Sequence, residues 1–125
     1  LKKYKLQLLM LKIINKPWGK AEVVEINNTY MVKKLTMWKG DRCSMQYHNK
    51  KKETIYILTG KLRIYIGASQ KDLTSKIYGP NEFITLTPGT IHRMEGVEDC
   101  EYLEASTPEM DDVVRLSDDY NRTKP

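Results

Sequence analysis

Short β-prone segments separated by turn residues are the feature that most limits how this chain can fold. Segments rich in Val, Ile, Thr and Tyr recur along the sequence, and Gly, Pro and Asn interrupt them at short intervals. No apolar repeat of about 3.6 residues continues long enough for a substantial helix. The pattern therefore predicts an all-β sandwich or barrel, with at most a helical turn in the tail after Thr107. The predicted strands are 21–27, 29–38, 42–48, 54–58, 62–66, 73–78, 83–86, 91–95 and 101–105.

The length of the chain, 125 residues, is enough for one domain with a buried core. Apolar residues alternate imperfectly over residues 4–14, which predicts an N-terminal strand that could pair with a partner subunit. The sequence begins with Leu1 rather than Met, so it is compatible with a segment of a longer protein or with a start at Met10.

The charge balance of the chain narrows the choice of partners. Its formal net charge is +5, from 21 Lys and Arg against 16 Asp and Glu, which suits anionic small molecules or nucleic acid. No zinc-finger spacing, aromatic RNA-binding motif or recognition-helix pattern is present, so we predict a solvated lysine-rich surface and no nucleic-acid partner. Two cysteines make no disulfide framework, and no apolar run reaches the length of a membrane span. We therefore expect a cytoplasmic protein that has no membrane partner.

Both histidines of the chain lie in short polar segments with the features of a metal site. Gln46 and His48 are two residues apart in a predicted strand, so their side chains point to the same face. A turn over 49–52 could return the chain antiparallel and set Glu53 beside His48. His92 follows a Pro-Gly turn in the second segment. Two imidazoles, a carboxylate and an amide oxygen suit one divalent metal ion, Zn²⁺ first, or Mn, Fe, Co or Ni; the alternative is two polar histidines without a metal.

The spacing around these residues resembles the cupin superfamily. The first cupin motif is similar to Gly40, Gln46-Tyr47-His48, Glu53 and Gly60, and the core of the second is similar to Gly89-Thr90-Ile91-His92. Glutamine stands where most cupins have their first histidine, as it does in phosphomannose isomerases. The match to the cupin domain of type II phosphomannose isomerases, often fused to a mannose-1-phosphate guanylyltransferase, extends over residues 16–122. It includes Lys16-Pro17-Trp18-Gly19, Tyr30, Lys33, Arg42, Ser44-Met45, Pro88, Arg93, Asp111-Asp112-Val113-Val114-Arg115, Asp118-Asp119-Tyr120 and Arg122; Asn121 departs from the usual glycine.

The resemblance implies a single-domain cupin, which is a jelly-roll barrel (a double-stranded β-helix) with little helix. The domain would cover residues 16–125, after an N-terminal strand or extension over residues 1–15. It further implies a metal-dependent enzyme that interconverts mannose 6-phosphate and fructose 6-phosphate, with a sugar phosphate as its small-molecule partner. Because cupin domains commonly pair and the N-terminal segment is apolar, we also expect a homodimer.

Two basic residues are candidates for catalysis through the resemblance. Lys51 occupies a position that is basic in phosphomannose isomerases, and a nearby metal would depress its pKa toward the range of a useful base. We expect the neighbouring Lys50 and Lys52 to be solvated. Arg115 lies in a segment that resembles the one carrying an active-site arginine, although an ion pair with a nearby aspartate is an alternative role.

Strand alternation assigns further residues to the inside or outside of the barrel. Arg42 and Ser44 would continue the face of Gln46 and His48 and bind substrate, with Arg42 gripping a phosphate or, alternatively, pairing with a surface carboxylate. The weaker candidates for substrate binding in the interior are Lys33 and Glu104. The same alternation directs Cys43, Met45 and Arg93 away from the metal. Cys43 is therefore expected to be a buried or interface thiol rather than a ligand, and Arg93 is expected to be structural.

Two other functions remain open from the sequence. The chain could be a non-catalytic cupin module that binds a metal and a sugar, or another metallo-cupin sugar enzyme such as an epimerase. A dioxygenase is a poorer match, because dioxygen chemistry favours redox-active iron that usually has more histidine ligands than this chain supplies.

Overall fold

The computed structural model describes residues 12–122, which form eleven β-strands and no helix. This confirms the prediction of an all-β protein, and no helix able to cross a membrane occurs within that range. The strands are β1 (Lys12–Lys16), β2 (Gly19–Ile26), β3 (Met31–Met37), β4 (Met45–Tyr47), β5 (Glu53–Thr59), β6 (Leu62–Gly67), β7 (Thr74–Tyr78), β8 (Phe83–Leu86), β9 (Ile91–Gly96), β10 (Cys100–Ser106) and β11 (Val114–Ser117).

The strands form two antiparallel sheets that face each other. One sheet has six strands in the order β1-β2-β3-β10-β5-β8, and the other has five in the order β11-β4-β9-β6-β7. The chain passes repeatedly between the sheets, so that neighbours in sequence such as β4 and β5 belong to different sheets. Such crossing between two sheets is typical of a jelly roll, and it confirms the predicted architecture.

Alternation along each strand builds the core between the sheets. On β5, Glu53, Ile55 and Ile57 are buried while the residues between them are partly exposed. On β6 of the facing sheet, Leu62 and Ile64 are equally buried. Because successive side chains of a strand point to opposite faces, each sheet places one apolar row between the two layers and removes it from water.

The tail of the chain differs from the prediction of a helical turn. Residues Val114–Ser117 form β11, which pairs with β4 and sets Arg115 opposite Gln46. This pairing supplies backbone partners to β4, which would otherwise be an exposed sheet edge. At the other end, β1 pairs with β2 of the same chain. The predicted N-terminal strand over 4–14 falls mainly on residues 1–11, which lie outside the described residues, as do 123–125.

Candidate metal centre

Three buried side chains from the two sheets converge inside the barrel. His48 directly follows β4 and His92 lies on β9, whereas Glu53 begins β5 of the opposite sheet. Nε2 of His48 and Nε2 of His92 lie 3.5 Å and 3.3 Å from Oε1 of Glu53. The potential ligand atoms of all three residues lie within 4.8 Å of one another. The predicted proximity of Glu53 to His48 is thus confirmed, but the predicted antiparallel pairing is wrong, because the intervening turn carries the chain from one sheet to the other.

Backbone carbonyls fix the orientation of both imidazole rings. Nδ1 of His48 contacts the carbonyl of Asp112, and Nδ1 of His92 lies 2.9 Å from the carbonyl of Thr90. A carbonyl oxygen can only accept a hydrogen bond, so the hydrogen of each neutral ring is on Nδ1. The lone pair of each Nε2 then points toward Glu53. Metal-binding histidines are typically oriented in this way, with the second ring nitrogen held by a hydrogen bond.

The buried acceptor atoms of this cluster fit a metal ion. Nε2 of His48, Nε2 of His92 and both carboxylate oxygens of Glu53 are buried without a hydrogen-bond partner. Burial raises the pKa of Glu53, whereas the adjacent Lys51 ammonium lowers it. Several lone pairs that face one another out of water are costly unless a cation satisfies them. Two imidazoles and a carboxylate are suitable ligands for a divalent transition metal.

Gln46, the fourth predicted ligand, lies on the same wall of the barrel. It is opposite His92 on one side and Arg115 on the other, and it lines a cavity together with His48. Oγ of Ser44 donates a hydrogen bond of 2.7 Å to Oε1 of Gln46. Ser44 is buried, with 1% of its surface exposed, so this hydrogen bond fixes the side chain of Gln46 from the interior of the protein. Ser44 thus contacts the predicted ligand and does not line the cavity described below, and its predicted contact with substrate stays a prediction.

Lys51 is buried between two carboxylates. Its Nζ lies 3.3 Å from Oε2 of Glu53 and 3.4 Å from Oε2 of Glu104. Burial lowers the pKa of Lys51, but attraction to Glu104 and Glu53 outweighs burial and raises it. The two carboxylates therefore oppose the predicted lowering of the Lys51 pKa. That lowering would have to come from the charge of a bound cation. Lys50 and Lys52 are exposed, as predicted.

A cavity of about 620 Å³, including its open mouth, lies beside this cluster. The predicted residues Lys33, Glu104 and Arg115 all line it. Two further cations that the sequence analysis did not assign to the site, Lys16 and Arg122, also line it. Both residues lie in segments that carry the family resemblance, and this is the sequence feature that could have assigned them to the site. The other lining residues are Trp18, Ala21, Leu35, Cys43, Gln46, His48, Lys51, Met110 and Val113.

Arg42 does not line this cavity, so its predicted cavity position is wrong and the alternative, pairing with a surface carboxylate, is the one observed. Its guanidinium pairs with the carboxylate of Asp119, with Nε 2.6 Å from Oδ2, and its side chain is 39% exposed. The cause is one extra residue between Arg42 and Gln46. Arg42 is opposite Glu95 and Gln46 is opposite His92, so this segment advances four residues while β9 advances three. An extra residue of this kind reverses which face the side chains occupy.

The same irregularity turns Cys43 inward. Cys43 lines the cavity and belongs to the apolar core, where burial raises the pKa of its thiol to about 11. The prediction that it faces away from the metal side is therefore wrong, although the prediction of a buried thiol is confirmed. Arg93 is buried and donates from Nε to the carbonyl of Cys43, which agrees with its predicted structural role.

Comparison with known proteins identifies the family of this fold. Residues 6–118 match the family model described as the C-terminal region of mannose-6-phosphate isomerase. The chain belongs to this family. It is 30% identical over 118 residues to the mannose-1-phosphate guanylyltransferase ManC of Salmonella typhimurium, and 31% identical over 114 residues to a mannose-1-phosphate guanylyltransferase of Escherichia coli. These matches cover 90% and 87% of this chain but 24% and 23% of the relatives, so the chain spans about a quarter of their length.

Solved structures support the cupin fold. The capsular polysaccharide assembling protein CapF of Staphylococcus aureus matches with a TM-score of 0.75 at 16% identity, over 86% of this chain and 34% of CapF. The Bacillus subtilis oxalate decarboxylase OxdC matches with a TM-score of 0.72 at 21% identity, over 87% of this chain and 31% of the enzyme. At these identities the likeness establishes the fold. The family member described here therefore has the cupin fold.

Proposed function

We propose that this cupin domain is a metal-dependent sugar-phosphate isomerase that interconverts mannose 6-phosphate and fructose 6-phosphate. The observation that carries the proposal is the convergence of His48, His92 and Glu53, with Lys51 in direct contact with Glu53 and a cation-lined cavity beside them. The family to which the chain belongs supports the choice of substrate.

The residues needed for such a reaction have distinct positions. His48, Glu53 and His92, with Gln46, would hold a divalent ion. When bound, that ion stabilises negative charge that develops on a substrate oxygen during enolisation. Lys51 would carry a proton between neighbouring carbons, because its amino group adjoins the cluster. Glu104 holds Lys51 from its other side and so limits the directions in which Nζ can point.

Substrate positioning falls to other residues of the cavity. Arg115 faces the interior from β11, and its Nε is buried without a hydrogen-bond partner. A guanidinium with an unfilled donor is suited to a phosphate oxygen. Met110 and Val113, which precede Arg115 in the tail, add apolar area to the same lining.

A non-catalytic binding module is the second candidate. It is favoured by one observation: the chain spans about a quarter of relatives that are named as guanylyltransferases. A domain of that size could bind a metal and a sugar phosphate for a larger protein without converting the sugar. The metal cluster and the cationic cavity fit this role as well as the first.

One assay separates the two candidates. Metal-loaded protein is supplied with mannose 6-phosphate, and fructose 6-phosphate is measured through glucose-phosphate isomerase and dehydrogenase. We expect turnover above that of free metal, and we expect Lys51→Met to lower kcat by about a hundredfold with the metal retained, as for a lost acid or base. Lys50→Met removes the same charge from the exposed neighbour and should leave kcat unchanged. Binding of mannose 6-phosphate without turnover would reject the isomerase and leave the binding module.

A further inference from the structure

Besides Lys51, four cations from separate parts of the chain line one cavity. Lys16 ends β1, Lys33 lies on β3, Arg115 lies on β11, and Arg122 lies in the turn after β11. Residues so far apart in sequence share a cavity because strands of both sheets, among them the edge strands β1 and β11, approach it. Sequence motifs had assigned a role in the site to Lys33 and Arg115, but not to Lys16 or Arg122.

The fold holds Lys16 in place through the turn that follows it. Trp18 is buried in the core, and Gly19 lies so close to β3 that a Cβ atom there would be 1.8 Å from the carbonyl oxygen of Thr36. Only glycine permits this approach, so the turn is seated against β3. The end of β1 is thereby fixed at the cavity, and the half-buried Lys16 lines it.

Arg122 is held with comparable precision. Its Nε and a terminal nitrogen donate to the two carboxylate oxygens of Asp118 at 2.9 Å and 3.1 Å. The guanidinium carbon lies 5.6 Å from the centre of the Tyr120 ring. A guanidinium fixed by a bidentate ion pair and an aromatic face loses little further freedom when it binds an anion.

The carboxylates near the cavity leave positive charge in excess. Glu53 and Glu104 are both in contact with Lys51, and Glu104 is also opposite Lys33 on the neighbouring strand. Asp118 pairs with Arg122, so three carboxylates face the five cations that line the cavity. Neither Lys16 nor Arg115 has an ion pair within the described residues. Burial, followed by repulsion from Lys33, Arg122 and Arg115, lowers the pKa of Lys16. Cations held together in this way gain stability when an anion with more than one charge lies between them.

We propose that Lys16, Lys33, Arg115 and Arg122 form a subsite for a phosphate monoester, with Lys16 and Arg122 as its previously unassigned members. The choice of the sugar phosphate as the natural ligand rests on the proposed function, whereas binding of the anion itself does not. A dianionic phosphate offers three oxygens to several donors at once, which a carboxylate does not.

The test measures the affinity of the metal-loaded protein for inorganic phosphate by calorimetry. Lys16→Met and Lys33→Met should each weaken binding about tenfold or more, the usual effect of losing a charged hydrogen bond. Lys61→Met is the matched control, because Lys61 lies in the turn between β5 and β6, 3.9 Å from Glu98, and does not line the cavity. The same loss should appear for mannose 6-phosphate and be absent for mannose.

Unchanged phosphate affinity in both lysine variants would overturn the subsite, including the case in which phosphate binds to the metal alone. If Lys16→Met does not fold, as judged by its melting and metal content, Lys33→Met on a different strand gives the same decision. If the wild type isomerises the sugar phosphate and Lys16→Met and Lys33→Met bind phosphate as tightly as the wild type, the subsite is rejected and the proposed function stands. If both substitutions weaken phosphate binding but the wild type shows no turnover, the subsite stands and the isomerase is rejected.

Discussion

The backbone carbonyl of Asp112 accepts a hydrogen bond from Nδ1 of His48, so a residue of the tail orients a candidate metal ligand. The carboxylate of Asp112 also accepts hydrogen bonds of 3.0, 2.6 and 2.8 Å from the amides of Asn49, Lys50 and Lys51. One residue thus ties the tail to the turn that carries both His48 and Lys51.

We expect Asp112→Ala to weaken metal binding, because the turn loses the side-chain acceptor of three amides. The tail is then held less firmly against the turn, so the backbone carbonyl that orients His48 is less well fixed. Loss of supporting contacts behind a metal ligand typically costs tenfold to a hundredfold in affinity, and we expect about tenfold here. Competition with a chromophoric chelator measures it. Asp111→Ala changes the exposed neighbouring carboxylate and should bind metal like the wild type; equal affinity in the two variants would contradict the role of Asp112.

The metal centre itself makes a second prediction. Purified protein should hold about one divalent ion per chain, and His92→Ala should abolish this because it removes one of the two imidazoles. Chelation should lower the free energy of unfolding by about 3 kcal/mol relative to protein at a free metal concentration about a hundred times the Kd. Elemental analysis and thermal melting provide the measurements.

Two further variants refine that prediction. Glu53→Gln should weaken metal binding, whereas Glu98→Gln, at an exposed carboxylate on the surface, should not. Gln46→His should retain the metal, because imidazole is a common ligand, yet alter turnover through the changed geometry. Wild-type protein that contains no metal after reconstitution would contradict the whole assignment.

Arg42 provides a test of its observed position. Since its guanidinium pairs with Asp119 at the surface, Arg42→Ala should cost about 0.5 kcal/mol of stability and leave phosphate affinity unchanged. Asp119→Ala should cost more, because Asp119 also lies 3.6 Å from a terminal nitrogen of the buried Arg93. Denaturant unfolding and phosphate calorimetry measure the two effects. A tenfold loss of phosphate affinity in Arg42→Ala would contradict the surface position and indicate that Arg42 contacts phosphate in the cavity.

Gly40 and Gly60, which bound the first motif, should respond differently to alanine. Both have positive φ, 84° and 76°, so alanine is strained at either position by about 1 kcal/mol. A Cβ on Gly40 meets nothing within 4 Å, whereas on Gly60 it would lie 2.2 Å from the carbonyl oxygen of Asp99. Gly60→Ala should therefore cost at least about 2 kcal/mol more than Gly40→Ala, as measured by denaturant unfolding. Equal losses of stability in the two variants would show that the backbone near Asp99 shifts to accommodate the added Cβ atom.

The sequence predicts most of the strands because alternation and turn residues are local. It also brings His48 and His92 into one site through the motifs that flank them. It does not predict the reversed face of Arg42, because the extra residue between Arg42 and Gln46 becomes visible only when β9 is laid beside them. The inward turn of Cys43 has the same origin.

The tail could not be predicted for a related reason. Residues Val114–Ser117 form a strand because β4 offers them an unpaired edge, and that edge depends on the assembly of the whole sheet. The approach of Glu53 to His48 is likewise a product of the two layers, since it comes from β5 across the barrel rather than from an adjacent strand. Long-range packing, and not local propensity, decides these features.

The candidate ligands are divided between the two sheets, with Glu53 on one and His48 and His92 on the other. An ion bound by all three is a removable cross-link between the halves of the barrel. A chain whose sheets have not closed on each other presents the carboxylate and the imidazoles apart and cannot retain the ion. Metal content would therefore report on folding, because closed barrels would retain the ion and misassembled chains would not, even without substrate.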